Sequence, residues 1–181
     1  MLREVLEGDA EVVAPLLLNK LFVSTVGDEL VSGRVVEVEA YSEDDPASHT
    51  YPGPTARNAA MFGPAGHLYV YLSYGIHHCA NVVCGPPGRG QAVLLRALEP
   101  VDGIDVMRRR RGDRPQLADG PGKLCEALGI TLTDYGADLC DPGGRLLLVD
   151  DRTPPPADPV VGPRVGITKA VDAPWRFRVP A

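Results

Sequence analysis

A chain of 181 residues, 44% apolar and 23% charged, has the balance of a soluble globular protein with one domain and a real core. No run approaches ~20 uninterrupted apolar residues, which excludes a membrane-spanning helix, and the acidic lead Met1-Leu2-Arg3-Glu4 carries no export segment. Four cysteines without a CxxC pair (Cys79, Cys84, Cys125, Cys140) read as reduced, mostly buried thiols of a cytoplasmic protein.

Along the chain, Asp9 is positioned to cap a short helix over Ala10–Leu18, with Pro15 as a kink or an early stop. Leu21–Thr25, the turn Val26-Gly27-Asp28 and Leu30–Tyr41 read as a hairpin. Residues 42–66 form a long polar loop, and loops of that length in a compact domain tend to be functional or disordered. Leu68–Leu72 is a strand with Tyr69 and Tyr71 on one face, turned by Ser73-Tyr74-Gly75. Ile76–Val83 and Gln91–Leu98 are strands joined by the breakers of residues 85–90. Asp102 and Asp105 open a helix that ends in Arg108–Arg111 and stops at Gly112. Asp119 is the expected cap of a helix with Pro121 near its start and Gly129 past its end. Arg145–Val149, Val165–Ala170 and Trp175–Val179 are extended. The order predicts an α+β fold, a single domain over residues 1–181 built on an antiparallel sheet.

The chemistry concentrates on one strand. Side chains on a strand alternate faces, so Val36, Val38 and Ala40 should point to a core, with Glu37, Glu39 and Tyr41 together on the other side. Two like charges side by side suit general acid–base work, and they equally suit a solvated sheet face. Tyr69 and Tyr71 make a platform on which a nucleobase could stack, or a cross-strand aromatic pair. Tyr74, on a tight turn, projects in the manner of a wedge between base pairs. His49 lies in the polar loop, where a lone histidine is usually solvated. Arg96, inside the apolar run Ala92–Leu98, needs an acidic or phosphate partner, and Glu39 would serve. Asn81 is likewise a polar side chain in an apolar strand. His77, His78, Cys79 and Cys84 match no usual zinc spacing, so no metal site is expected. The net charge of −6 argues against a nucleic-acid partner, but it is unevenly spread. Residues 1–60 hold 4 basic and 11 acidic side chains, whereas residues 61–125 hold 8 basic and 5 acidic, so a basic face is available.

In register, Glu37-Val38-Glu39-Ala40-Tyr41, His49, Thr55-Ala56-Arg57-Asn58, Met61-Phe62, Leu68-Tyr69-Val70-Tyr71, Tyr74-Gly75, Asn81, Val93–Pro100 and Gly120-Pro121-Gly122-Lys123-Leu124-Cys125 resemble the alkyladenine (3-methyladenine, methylpurine) DNA glycosylases. The likeness runs from about Asp9 to Val179. It implies a compact domain of curved antiparallel sheet with flanking helices and no cofactor. It also implies a base-excision-repair enzyme, nucleoid-associated if bacterial, that flips alkylated or deaminated purines out of duplex DNA and hydrolyses the N-glycosidic bond; a monomer acting on DNA is the simplest arrangement. By motif, Glu39 would be the general base, and Arg96 would place the attacking water and a phosphate. Tyr41, His49 and Tyr71 would sandwich the extruded base, Asn81 would exclude guanine and Tyr74 would fill the vacated space. Arg108, Arg109, Arg110, Arg111 and Lys123 would meet phosphates.

Since water is the nucleophile, no amine is required. The only lysines, Lys20, Lys123 and Lys169, fall outside the pocket motifs, so a monofunctional enzyme without lyase activity is expected. Two other readings fit parts of the pattern. One is a carbohydrate hydrolase using Glu37 and Glu39 as a carboxylate pair. The other is a catalytically silent nucleic-acid binding module on the tyrosine strand.

Overall fold

The computed structural model describes residues 3–112 and 114–181. Met1 and Leu2, at the head of the acidic lead, and Asp113 lie outside the described residues. Eight strands form one antiparallel sheet: β1 (Leu21–Ser24), β2 (Val31–Tyr41), β3 (Leu68–Ser73), β4 (His77–Val83), β5 (Ala92–Asp102), β6 (Leu146–Val149), β7 (Val160–Gly162) and β8 (Arg176–Arg178). The order is β3-β4-β5-β2-β1-β6, with β8 paired to both β2 and β7. Three helices, α1 (Ala10–Leu17), α2 (Ile104–Arg111) and α3 (Pro121–Leu128), flank it. The core lies between the sheet and these helices, where Val13, Leu17, Phe22, Val35, Leu95, Met107, Leu124 and Leu128 are fully buried. This is the α+β architecture anticipated from the order of elements.

The strand that matters most departs from simple alternation. Val35, not Val36, is the buried residue, and Val36 is half-buried. The register between β2 and β5 shifts between Val35 and Glu37. Val31, Gly33 and Val35 bury before the shift, and Val38 and Ala40 bury after it. A bulge is the only way to change the phase of a strand with period two without turning its apolar side to water. Val38 and Ala40 thus stay inward, and the bulge leaves Glu37, Glu39 and Tyr41 on the opposite side. Within the sheet, β8 takes the edge of β2 beyond β1, through the pairs Glu37 with Arg178 and Glu39 with Arg176.

Several expected caps are replaced by tertiary partners. Asp9 precedes α1 but makes no cap bond with its side chain. Gln91 takes that place across the fold, its Oε1 accepting from Ala10 N (2.8 Å) while its Nε2 donates to Asp9 (3.0 Å). Pro15 sits inside α1 without ending it, because Val13, Ala14 and Leu17 anchor the helix in the core. Asp102 stays in β5 and accepts from Ser32, leaving Gly103 to precede α2 with φ +68°. A Cβ there would stand 2.3 Å from the Leu30 carbonyl oxygen, so only glycine fits. Asp119 pairs with Lys123 rather than capping, and Gly120 precedes α3. Residues 165–170 form no strand; they run as an irregular segment beside the sheet.

Candidate active site

Glu39 is fully buried, and its carboxylate has polar partners on both oxygens. Tyr41 donates its hydroxyl to Oε2 (2.8 Å), the Val165 backbone N–H donates to Oε1 (2.8 Å), and Arg96 Nη1 stands 3.4 Å from Oε1. Arg96 reaches Glu37 Oε1 through Nε (3.4 Å), and Arg176 reaches the same oxygen at 3.3 Å. Two carboxylates and two guanidiniums therefore alternate in space. The Glu37–Glu39 repulsion expected from the strand is offset by the arginine between them. The partner predicted for Arg96 is the one it has.

Beside this network opens a cavity of about 590 Å³, within the roughly 300–1,000 Å³ range of small-molecule sites. Its walls bring together Tyr41, His49, Tyr71, Tyr74, Asn81 and Arg96, residues contributed by β2, the long loop, β3, the turn after it, β4 and β5. Glu39 lies behind the wall, not on it; the groups touching its Oε1, Arg96 and Val165, are on it. Tyr69 and Tyr71 stack with centroids 5.6 Å apart at 27°, and the His49 ring meets Tyr71 edge-on at 4.5 Å. His49 Nδ1 bonds the Tyr69 hydroxyl (2.9 Å), and Asn81 Nδ2 donates to the Tyr69 carbonyl (3.0 Å). The loop carrying His49 is pinned from below: Asn58 donates to His49 O (2.8 Å) and Thr50 to Gly90 O (2.8 Å). Gly90 permits that approach, since a Cβ there would lie 2.7 Å from Thr50 and the Phe62 ring.

These surroundings set protonation. Burial, then the adjacent Glu39 charge and the hydrogen bond to it, push the Tyr41 hydroxyl far above its ordinary range, so it remains a donor. Burial does the same to Tyr71, and pushes Tyr69 up to about 12. His49 is open to the cavity, but its ring is packed against Tyr69 and Tyr71. That desolvation, with the Arg57 charge second, lowers its pKa and keeps the imidazole neutral at pH 7.

Tyr74 sits at the cavity rim, 90% exposed, with φ +52° on the turn between β3 and β4; Ile76 beside it is 70% exposed. A tyrosine held in the left-handed region and projecting into solvent is an unusual expense for a fold. The four arginines after Val106-Met107 do not make an open basic stripe. Arg108 pairs with Asp105 and Arg109 with Glu29, both at the surface. Arg110 donates to the Ala127 and Val26 carbonyls, and buried Arg111 pairs with Glu126 and reaches Gln116 O. Arg110 thus ties α2 to the end of α3 and to the turn between β1 and β2, and Arg111 ties it to α3 and the connection before it. Lys123 pairs with Asp119 (2.8 Å).

Sequence reasoning missed three members of the wall. Val165 acts through its backbone N–H, which no side-chain pattern reveals. Arg57, stacked 5.8 Å over Tyr71, was visible only as part of a motif. Lys169 falls outside the pocket motifs in sequence, but the irregular segment of residues 165–169 folds over the cavity and puts this exposed lysine on its wall. His78 is half-exposed, Cys79 is buried under the cavity, and Cys84 lies in the core, so the His/Cys group around β4 does not converge.

A curled antiparallel sheet opens here into an aromatic cavity beside a hydrogen-bonded carboxylate, the concave setting in which small ligands bind. The description of the methylpurine-DNA glycosylases matches residues 4–181 of the chain. A protein of Nitrosospira multiformis is 51% identical over 94% of this chain and 84% of its own length, and one of Methanoculleus marisnigri is 53% identical over 94% and 90%. One of Rhodopseudomonas palustris is 50% identical over 94% and 88%. All three bear the provisional name 3-methyladenine DNA glycosylase. The chain belongs to the methylpurine-DNA glycosylase family, and is accordingly a DNA glycosylase of base excision repair, a hydrolase whose substrate is DNA. Among the described residues, no helix is long and apolar enough to cross a membrane.

Proposed function

We propose that this protein, acting as a monomer on duplex DNA, extrudes alkylated or deaminated purines and hydrolyses their N-glycosidic bond with water. The observation that carries the reading is the Glu39 carboxylate, held by Tyr41 and Val165 and paired with Arg96, directly behind the wall of an aromatic cavity.

The purine stacks among Tyr41, His49 and Tyr71, and the tyrosine faces favour a cationic, alkylated base. Stacking offsets the few kcal/mol that flipping costs. Water lies between Arg96 and Val165, the two wall groups that meet Glu39 Oε1. Its oxygen attacks C1′ of the deoxyribose as the bond to the base nitrogen breaks; Glu39 takes its proton and the electron pair leaves with the base. A cationic purine leaves neutral without an acid. The sugar keeps a hydroxyl, so an abasic site results with no covalent intermediate and no strand cleavage. Tyr74 enters the gap in the stack, and Asn81 excludes guanine through its 2-amino group. Phosphates are met by the rim cations Arg57 and Lys169 and by Arg108, Arg109 and Lys123, whose exposed pairs are weak enough to exchange a carboxylate for a phosphate. Against the carbohydrate-hydrolase alternative, Glu37 is held through one oxygen by two guanidiniums, Arg96 and Arg176.

The test is incubation with duplexes carrying hypoxanthine, ethenoadenine or methylated purines. Free base and an alkali-labile abasic site are expected, with no product trapped by borohydride. Absence of released base from all three duplexes overturns the reading, and a borohydride adduct lost in Lys169→Ala would show the monofunctional part to be wrong.

A further inference from the structure

The most completely buried ion pair of the molecule lies outside the machinery described so far. The side chains of Arg164 and Asp45 are both fully buried. Arg164 Nη1 and Nη2 both meet the Asp45 carboxylate, the latter at 3.1 Å, and Nη1 also donates to the Ala40 carbonyl (2.9 Å). The guanidinium lies over the Tyr41 ring at 4.5 Å and over the Trp175 ring at 5.0 Å. None of Arg164, Asp45 and Trp175 lines the cavity.

We propose that the Arg164–Asp45 pair is a positioning device that fixes Glu39 and its two hydrogen-bond donors, and so sets the rate of the chemical step. The proposal rests on the glycosylase reading of Glu39. Three separated stretches of chain must meet correctly at that carboxylate, and one guanidinium touches all of them. It holds the end of β2 through Ala40 O and the Tyr41 ring, next to Glu39 itself. It holds the loop leading to His49 through Asp45, which also accepts from Ala47 N (2.9 Å). It belongs to the third stretch, where the next residue, Val165, donates to Glu39 Oε1. Trp175 closes the arrangement, stacking on the guanidinium while its carbonyl accepts from Ala40 N (2.9 Å).

Stability alone does not account for such a pair. Replacing a buried ion pair by apolar residues of similar volume is often neutral or stabilising, because the desolvation of two charges is recovered. An apolar plug would fill the same space but could not bind Ala40 O and Asp45 in fixed directions. The planar fork of arginine does both while stacking on aromatic faces, which lysine cannot.

The experiment compares the wild type with Asp45→Leu/Arg164→Met, Arg164→Lys and Asp45→Asn, with Glu39→Gln alongside. Single-turnover release is followed on whichever lesion duplex the wild type cleaves best. Affinity is measured on the 2′-fluorinated analogue of that duplex, which resists hydrolysis. Trp175 is the only tryptophan of the chain, so its emission reports the stack directly. We expect the double variant to keep its fold and shift its emission. Its release rate should fall at least tenfold while affinity changes less than threefold, with Arg164→Lys intermediate. A folded double variant within threefold of the wild-type rate overturns the proposal, as does a loss of affinity equal to the loss of rate, the mark of a merely structural pair. If the double variant does not fold, Asp45→Asn decides on the same two measurements. Full activity in Glu39→Gln would strike the reading of Glu39 itself; an inactive Glu39→Gln beside fully active Arg164 variants would strike only this inference.

Discussion

Replacing Glu39 by glutamine separates chemistry from folding more cleanly than any other single change. The glutamine oxygen can still accept from Val165 N–H, and its amide can donate to the Tyr41 hydroxyl, which is able to turn and accept. Both direct hydrogen bonds therefore survive in neutral form. A hydrogen bond to a charged group contributes about 1.5–3 kcal/mol and a neutral one about 0.5–1.5, so the pair of bonds weakens by about 2 kcal/mol in total. The Arg96 contact at 3.4 Å is long, and Arg96 keeps Glu37, so its loss adds less. At roughly 2–4 °C per kcal/mol for a domain of this size, the melting temperature should fall by about 4–8 °C, leaving the protein folded at 25 °C. The rate is a different matter: losing a general base costs roughly 10²–10⁴-fold. Single-turnover base release, thermal melting and anisotropy with the uncleavable duplex measure the three quantities. We expect release down at least a hundredfold with affinity within a few-fold. Release within tenfold of wild type would refute the general-base argument, and equal losses of rate and affinity would refute the placement of Glu39 behind the base rather than in its binding.

Tyr74→Gly should raise the melting temperature slightly or leave it unchanged, because an exposed tyrosine is released from φ +52°. The same variant should lose at least tenfold in base release; a fully active variant would reject the wedge. Asn81→Ala should allow measurable release of guanine from methylated or undamaged duplex, and unchanged discrimination would show that another wall residue excludes it. The neutral, desolvated His49 links folding to pH. The unfolded imidazole titrates near 6.5 and the folded one lower, so between those values the unfolded chain binds more protons. That contribution is fully present above about pH 6.5 and is lost as pH falls through the folded value. Melting curves from pH 8 to 5 should therefore slope less in His49→Gln than in the wild type, and identical slopes would refute the assignment of this shift.

The amino-acid sequence by itself determined most of the longer elements and pointed to residues that the structure brings to one cavity. Period-two patterning placed β2, β3, β4 and β5. Glycine and proline marked the ends of α2 and α3, and an arginine stranded among Leu94, Leu95, Ala97 and Leu98 required the acidic partner it has in Glu39. Such signals are local or rest on the cost of burying an unpaired charge, so they are legible without coordinates. Only tertiary structure decided the rest. The bulge at Val36 depends on the register with β5, and the cap of α1 comes from Gln91, far along the chain. The arginine run makes no open basic face because Glu29 and Glu126 lie against it, a pairing between distant parts of the chain. Arg164, Val165 and Lys169 come from one irregular segment and Asp45 from the long loop before His49, neither with a periodic pattern. Their place follows from where an irregular backbone finds hydrogen bonds over the open side of the sheet, a question of long-range packing that composition does not encode.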